Sequence, residues 1–310
     1  MKTAFIFPGQ GSQSVGMLSD LAQSYGVVNE VFSEASSVLD YDLWQIVQQG
    51  PESQLNQTFV TQPAMLAAGI AVFRTLQQVQ PDLKPSFLAG HSLGEYTALV
   101  ASGVMSLSQG IELVAERGRL MQQAVPAGEG AMAAVLGLED QQVIELCELA
   151  AQDQVVEAVN FNSPGQVVIA GNQAAVGRAM QLAEEKGAKK VVPLAVSVPS
   201  HCALMKPAAD LLASKLAGMT FSQPQVAVLH NVAVQVYDDA ESIKAALVEQ
   251  LYRPVQWVKT IEYMKATGVE KLLELGPGKV LAGLNRRIDR RMAIDSIFDT
   301  ATLSNLIKED

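Results

Sequence analysis

A five-residue turn, Gly90-His91-Ser92-Leu93-Gly94, constrains what this chain can fold into more than any other stretch. A short apolar strand, Phe87-Leu88-Ala89, runs into it. A helix-prone run from Glu95 to Ala101 leaves it, with Gly103 as the stop. Gly-x-Ser-x-Gly between a strand and a helix is a nucleophile elbow. The turn is sharp and strained at the serine, so glycines flank it where neighbouring backbone crowds in. The serine hydroxyl is then presented at the end of a sheet. The N–H of Leu93, at the helix start, points at an oxyanion formed on an attacked carbonyl. The five residues are common by themselves; their place between strand and helix carries the reading.

The rest of the chain alternates in the same way. Thr3 to Phe7 reads as a buried strand, followed by the glycine-rich loop Pro8-Gly9-Gln10-Gly11-Ser12-Gln13. No Gly-Lys-Ser/Thr closes that loop, so it is neither a P-loop nor a dinucleotide fingerprint. Thr61-Gln62-Pro63 reads as a helix start, with Thr61 as cap and Pro63 at the first helical position of an apolar helix from Ala64 to Leu76. Ser108 reads as the cap of a helix to about Gln123, and His201 as the opening of another to about Leu216. Val269 to Glu274 reads as a late strand, and Gly276-Pro277-Gly278-Lys279 leads into a final helix. Between Ala131 and Val196 the order is strand, helix, strand, strand, helix, strand, which is the ferredoxin-like arrangement. The expected fold is α/β: a parallel sheet with helices on both faces, formed by 1–125 and 198–310, with 126–197 inserted as a small subdomain.

Composition narrows the function classes. With 310 residues, 49% hydrophobic and 17% charged, the chain can bury a large core and is not disordered. A formal net charge of -10 speaks against bulk binding of nucleic acid. Cys147 and Cys202 form neither a metal-ligand spacing nor a disulfide framework, which suits a reducing cytoplasm and no metal. The N-terminal apolar run is broken by Pro8 and Gly9, too early for a signal peptide, and no apolar run reads as long enough to span a bilayer.

Ser92 needs a general base, and the chain has three histidines. His91 adjoins the serine and is expected to point away from it. His230 sits at a strand end among apolar neighbours, where a packed, hydrogen-bonded ring is the simpler reading. His201 falls in a loop after a strand and after the serine, the order used by α/β hydrolases. It is the expected base, and activity is expected to fall at acid pH as it protonates. No Asp or Glu is placed to orient its imidazole, so another acceptor such as a backbone carbonyl is needed. Cys202 reads as a small buried residue rather than a rival nucleophile. Arg117 shares a helical stripe with Leu113, Leu120 and Ala124. A guanidinium there needs a partner: a structural carboxylate, or a substrate carboxylate held bidentately.

These residues fall into a set. Phe-Pro-Gly-Gln-Gly-Ser-Gln at 7–13, Gly-His-Ser-Leu-Gly-Glu-Tyr at 90–96, Glu-Arg-Gly-Arg around Arg117, Asn-x-Asn-Ser-Pro-Gly-Gln at 160–166, Val-Pro-Ser-His at 198–201 and Glu-Leu-Gly-Pro-Gly at 274–278 occur in order along nearly the whole chain. Together they resemble the malonyl-CoA:acyl-carrier-protein transacylase family of bacterial fatty acid synthesis. The resemblance implies an α/β-hydrolase-like large subdomain and a ferredoxin-like small one. It implies Ser92 as the acylated nucleophile, His201 as its base, the backbone carbonyl of Gln250 as the orienting acceptor, and the N–H groups of Gln10 and Leu93 as oxyanion hole. Arg117 would hold the malonyl carboxylate, with Asn160, Asn162 and Gln166 near the acyl and pantetheine groups.

Malonyl-CoA would be the substrate and the phosphopantetheine of acyl carrier protein the acceptor, with no tightly bound cofactor, no membrane or nucleic-acid partner, and a monomer expected. The basic groups around Lys186, Lys189 and Lys190 and around Arg286, Arg287, Arg290 and Arg291 read either as solvated faces or as a docking surface for an acidic carrier. A serine esterase or thioesterase, a freestanding polyketide acyltransferase and a non-catalytic carrier scaffold are the competing readings.

Overall fold

The computed structural model describes residues 1–196 and 198–309. Ser197, the last residue of the expected insertion, lies outside the described residues. Five strands, β1 (Thr3–Phe7), β2 (Phe87–Gly90), β7 (Val228–Leu229), β8 (Lys271–Leu275) and β9 (Ala293–Ile297), form a parallel sheet in the order β7-β2-β1-β8-β9. Every residue of β1 is buried, as a central parallel strand requires. Alternate residues serve opposite faces. Phe5 and Phe7 pack into the larger core with the helix Thr58–Val79, while Ala4 and Ile6 pack with Trp257, Ile261 and Leu281.

The second sheet is formed by β3 (Gly130–Leu136), β4 (Val156–Ser163), β5 (Gln166–Asn172) and β6 (Lys190–Pro193). Its order is β4-β5-β3-β6 and all its pairings are antiparallel. Two helices, Asp140–Ala151 and Gln173–Glu185, cover one face over a core of its own. This is the expected ferredoxin-like order. Strand β4 also pairs with the segment between the helices Ala240–Gln250 and Trp257–Ala266, where Phe161 N–H donates to the Val255 carbonyl at 3.0 Å, so the small sheet is tied to the chain beyond it.

Several boundaries differ from the sequence reading, each for a local reason. The apolar helix begins at Thr58, a turn before Thr61, and Pro63 lies inside it. The hydroxyl of Thr61 donates to the Leu55 carbonyl at 2.5 Å, with the Gln57 carbonyl at 3.1 Å, instead of capping. The Phe59 carbonyl, which Pro63 cannot serve, accepts from Tyr41 Oη at 3.4 Å. This helix is long and apolar enough to cross a membrane, contrary to the sequence reading, but 89% of its apolar window is buried inside the protein. The next helix, Leu107–Ala124, is capped by Ser106, because Ser106-x-x-Gln109 closes a reciprocal capping box; Ser108 donates to Glu34 instead. His201 does not open a helix: its φ is +66°, and the helix Lys206–Ala217 starts only after a short 3-10 turn. Beyond the helix Val280–Ile288 the chain adds β9 and a further helix, Thr300–Glu309.

The elbow is held by contacts that only glycine allows. Ser92 has φ +51° and ψ -105°. A Cβ on Gly94 would stand 2.1 Å from the Phe7 carbonyl oxygen, and one on Gly90 would stand 1.9 Å from the Gly94 carbonyl carbon. Gly94→Ala is therefore expected to destabilise the fold by about 3 kcal/mol or more, a large overpacking effect. Gly177→Ala, in the helix Gln173–Glu185 with open space around it, should stay within about 1 kcal/mol on the stabilising side. Thermal denaturation of the two variants checks the contrast.

Candidate active site

The end of β2 delivers Ser92 into a cavity of about 190 Å³. The walls come from both sheets: Gln10, Ser92 and Arg117 from the large one and its helices, and Met132, Asn160, Asn162 and Val168 from the small one. His201 enters from the segment that follows the small sheet. Its position is set by a backbone bond, His201 N–H donating to the Leu251 carbonyl at 2.9 Å.

Ser92 Oγ lies 2.8 Å from His201 Nε2. The other ring nitrogen, Nδ1, lies 2.6 Å from the Gln250 backbone carbonyl. A carbonyl only accepts, so the proton sits on Nδ1 and Nε2 is left bare to take the serine proton. This supplies the orienting acceptor that no carboxylate provides. His201 is buried, and its pKa is held down to about 3, first by loss of hydration and then by the Arg117 cation; the Gln250 carbonyl pulls it back only in part.

Arg117 is 1% exposed. Its guanidinium donates to Gln62 Oε1 at 2.8 Å, Gln250 Oε1 at 3.0 Å and Ser92 Oγ at 3.3 Å, and lies over the Tyr96 ring. Among the described residues it meets no carboxylate, and its Nε has no partner. A buried cation ringed by neutral groups and facing a cavity is prepared for an anion from outside.

Leu93 is the first residue of the helix Leu93–Ala101, where an N–H has no intrahelical carbonyl to serve. Gln10 lines the same cavity, brought there because Gly9 presses on the elbow: a Cβ at Gly9 would stand 2.5 Å from the His91 carbonyl oxygen. Asn160 and Asn162 also line it, two residues apart on one face of β4.

Not every expected residue arrives. Gln166 is absent from the cavity wall; it accepts from Arg287 at 2.6 Å, outside the cavity. His91 bonds Asn162 Oδ1 at 2.7 Å and lies against Trp257, so it does not serve the serine, yet it lines the cavity instead of turning from it. His230 is packed and bonded to Glu95 at 2.7 Å. Cys202 donates to the Pro199 carbonyl, and burial pushes its thiol up to about 12, which leaves it inert.

The sequence reading missed what lies under the elbow. Asn231 Oδ1 accepts from Ser92 N–H at 2.8 Å and its Nδ2 donates to the Gly90 carbonyl at 2.7 Å. Gln250 Nε2 donates to the Ser92 carbonyl at 2.9 Å. Glu95 joins Gln250, Asn231 and His230. The available signal was a polar residue inside an apolar run: Gln62 in the helix Thr58–Val79 and Glu95 in Leu93–Ala101.

Fold and site together define an acyltransferase. Residues 4–294 match the acyl transferase domain family, and the chain belongs to that family. It is 58% identical over 285 residues to the malonyl CoA-acyl carrier protein transacylase of Escherichia coli K12, covering 92% of each chain. The crystal structure of an acyl carrier protein S-malonyltransferase from Vibrio cholerae superposes with a TM-score of 0.96 at 57% identity, covering 99% of this chain and 100% of that one. A malonyl-transacylase solved in complex with a type II polyketide acyl carrier protein superposes at 0.98, with 53% identity and full coverage of both.

With His201 as the expected base, its depressed pKa predicts the pH dependence. The ring must be neutral to take a proton, so the acid limb of kcat/KM is expected far below the ordinary 6.5, towards about pH 3. The fall with acid expected from the sequence is thus moved to much lower pH. Stability runs with it: native His201 refuses a proton that the unfolded chain accepts, so stability is lost as pH falls from 6.5 towards about 3. A kcat/KM profile in buffers of matched ionic strength checks this; an acid limb centred near 6.5 contradicts it.

Proposed function

We propose that this chain transfers a malonyl group from malonyl-CoA to the phosphopantetheine thiol of an acyl carrier protein through malonyl-Ser92. The observation that carries the reading is the joint placement of three groups: Ser92 Oγ with a bare imidazole nitrogen at 2.8 Å and, at 3.3 Å, a guanidinium that meets no carboxylate among the described residues. Nucleophile, base and carboxylate receptor share one small cavity, which is what an acid-tipped thioester needs.

In the first half-reaction Ser92 Oγ attacks the thioester carbonyl carbon and its proton passes to His201 Nε2. The oxygen becomes an oxyanion received by the Gln10 and Leu93 N–H groups. The C–S bond then breaks, and the CoA sulfur leaves with the proton from His201. In the second half the carrier thiol gives its proton to His201 and attacks the ester. The C–O bond breaks, and the proton returns to Ser92. Arg117 holds the malonyl carboxylate throughout. That anion offsets the guanidinium charge that depresses His201, so the correct acyl group strengthens its own base. Asn160 and Asn162 fit the acyl and pantetheine end of the cavity; Gln166 fits the approach outside it. The steps use side chains, backbone N–H groups and two thiol partners, with no resident cofactor.

The insertion 126–197 serves as the small subdomain that walls the cavity, and 1–125 with 198–310 as the catalytic one. A cytoplasmic setting suits two buried free cysteines and soluble partners. The basic groups converge. Lys190 pairs with Leu136, Leu136 pairs with Gln166, and Gln166 bonds Arg287, so Lys190 and Arg287 meet at one end of the small sheet. Lys189, Lys190, Arg286 and Arg287 are exposed there and form the docking surface for the acidic carrier. The neighbour solved with a polyketide carrier supports a second reading of the acceptor, decided by comparing kcat/KM on fatty acid and polyketide carriers.

Intact-protein mass spectrometry after exposure to malonyl-CoA should show one malonyl adduct, absent from Ser92→Ala. Arg117→Ala should lose about 2–5 kcal/mol of malonyl transition-state stabilisation, some 30-fold or more in kcat/KM, while gaining in relative acetyl transfer. An unchanged malonyl preference in that variant refutes the role. Charge reversal at Lys190 or Arg287 should weaken the carrier's apparent KM several-fold at low salt and less at high salt, with kcat/KM for malonyl-CoA unchanged.

A further inference from the structure

Two buried ionisable groups beneath the elbow are used by no step above: Glu95 and His230, 0% and 1% exposed. Glu95 lies in the first turn of the helix Leu93–Ala101, where the helix dipole favours an anion. Three donors converge on it: His230 Nδ1 at 2.7 Å, Asn231 N–H at 3.0 Å and Gln250 Nε2 at 2.8 Å. The position calls for an acceptor-only group, which a carboxylate is and an amide is not.

Gln250 connects this carboxylate to Arg117. Its Nε2 donates to Glu95 Oε2, while its Oε1 accepts from Arg117 Nη2 at 3.0 Å. The amide thus stands head to tail between an anion and a cation. Arg117 needs such a counter-charge, since it is buried and meets no carboxylate directly among the described residues. A direct ion pair would occupy the guanidinium. One amide away, the anion steadies the cation and leaves the residue, which lines the cavity, without a direct carboxylate among the described residues.

We propose that Glu95 is the counter-ion of Arg117, relayed through the Gln250 side chain, and that it is a positioning residue which sets how strongly Arg117 prefers an acyl group ending in a carboxylate. It makes the empty site stable and keeps the grip on the malonyl carboxylate loose enough for release. This rests on the reading of Arg117 as the seat of that carboxylate.

Glu95→Gln removes the charge and keeps the shape. The substrate carboxylate then faces an uncompensated guanidinium, so the malonyl-over-acetyl ratio of kcat/KM should rise on the order of ten-fold, chiefly through a lower malonyl-CoA KM. The variant should also melt earlier when empty, and malonyl-CoA should raise its Tm by more than it raises the wild type's, because the substrate supplies the missing anion. Glu95→Asp keeps the charge and shortens the reach, so it should lose kcat yet hold the ratio within about two-fold of wild type. A purely structural Glu95 would slow malonyl and acetyl transfer alike. A ratio in Glu95→Gln that is unchanged or lower, or a malonyl-CoA Tm shift no larger than wild type, overturns the proposal. Should Glu95→Gln not fold, Glu95→Asp decides: a held ratio supports the relay, and a ratio collapsing towards that of Arg117→Ala overturns it. Failure of the underlying reading looks different, since Arg117→Ala itself would then leave the malonyl-over-acetyl ratio at the wild-type value.

Discussion

The strained backbone at Ser92 is the constraint on which the rest of this structure depends. A non-glycine residue with φ +51° and ψ -105° persists only where its surroundings over-determine it. Here they do. Asn231 holds the Ser92 N–H and the Gly90 carbonyl, Gln250 holds the Ser92 carbonyl, and Gly94 lies against the Phe7 carbonyl with no room for a methyl group. The strain has a use: it lifts the hydroxyl off the end of β2, towards an imidazole and away from the helix that follows.

Electrostatics in the cavity follow from burying a cation without a direct anion. Burial first, and then the Arg117 cation, depress His201, which keeps the ring neutral and its Nε2 free for the serine proton. In the function proposed above the same cation receives a carboxylate. Specificity and base strength are then coupled through one charge: an acyl group that brings an anion would satisfy Arg117 and relieve His201 together. An uncharged acyl group would do neither. Gln250 sits at the junction, with its backbone carbonyl on His201 and its side chain between Arg117, Ser92 and Glu95.

Much of this was legible along the chain. Parallel strands buried on both faces, such as Thr3–Phe7, must be continuous apolar runs, and the βαββαβ order leaves few ways to pair. Helix ends were less legible. Thr61-Gln62-Pro63 carries every local mark of a helix start, yet the helix begins at Thr58, because Tyr41 from a distant segment serves the carbonyl that the proline leaves free. Ser106 and Ser108 compete as caps, and the box with Gln109 decides.

The sequence by itself placed Ser92 at the elbow, since Gly-x-Ser-x-Gly between a strand and a helix is the pattern of this turn. By elimination among three histidines it also indicated the base, and its motif order indicated the family. What only the tertiary structure decided is which polar groups meet: that Gln166 belongs to Arg287 outside the cavity, that His91 serves Asn162, and that Glu95, Asn231 and Gln62 surround the elbow and its arginine. The physical reason is range. Turn geometry and apolar periodicity are set by neighbours within a few residues, whereas a buried hydrogen-bond partner lies 50 to 160 positions away and is chosen by how the sheets pack.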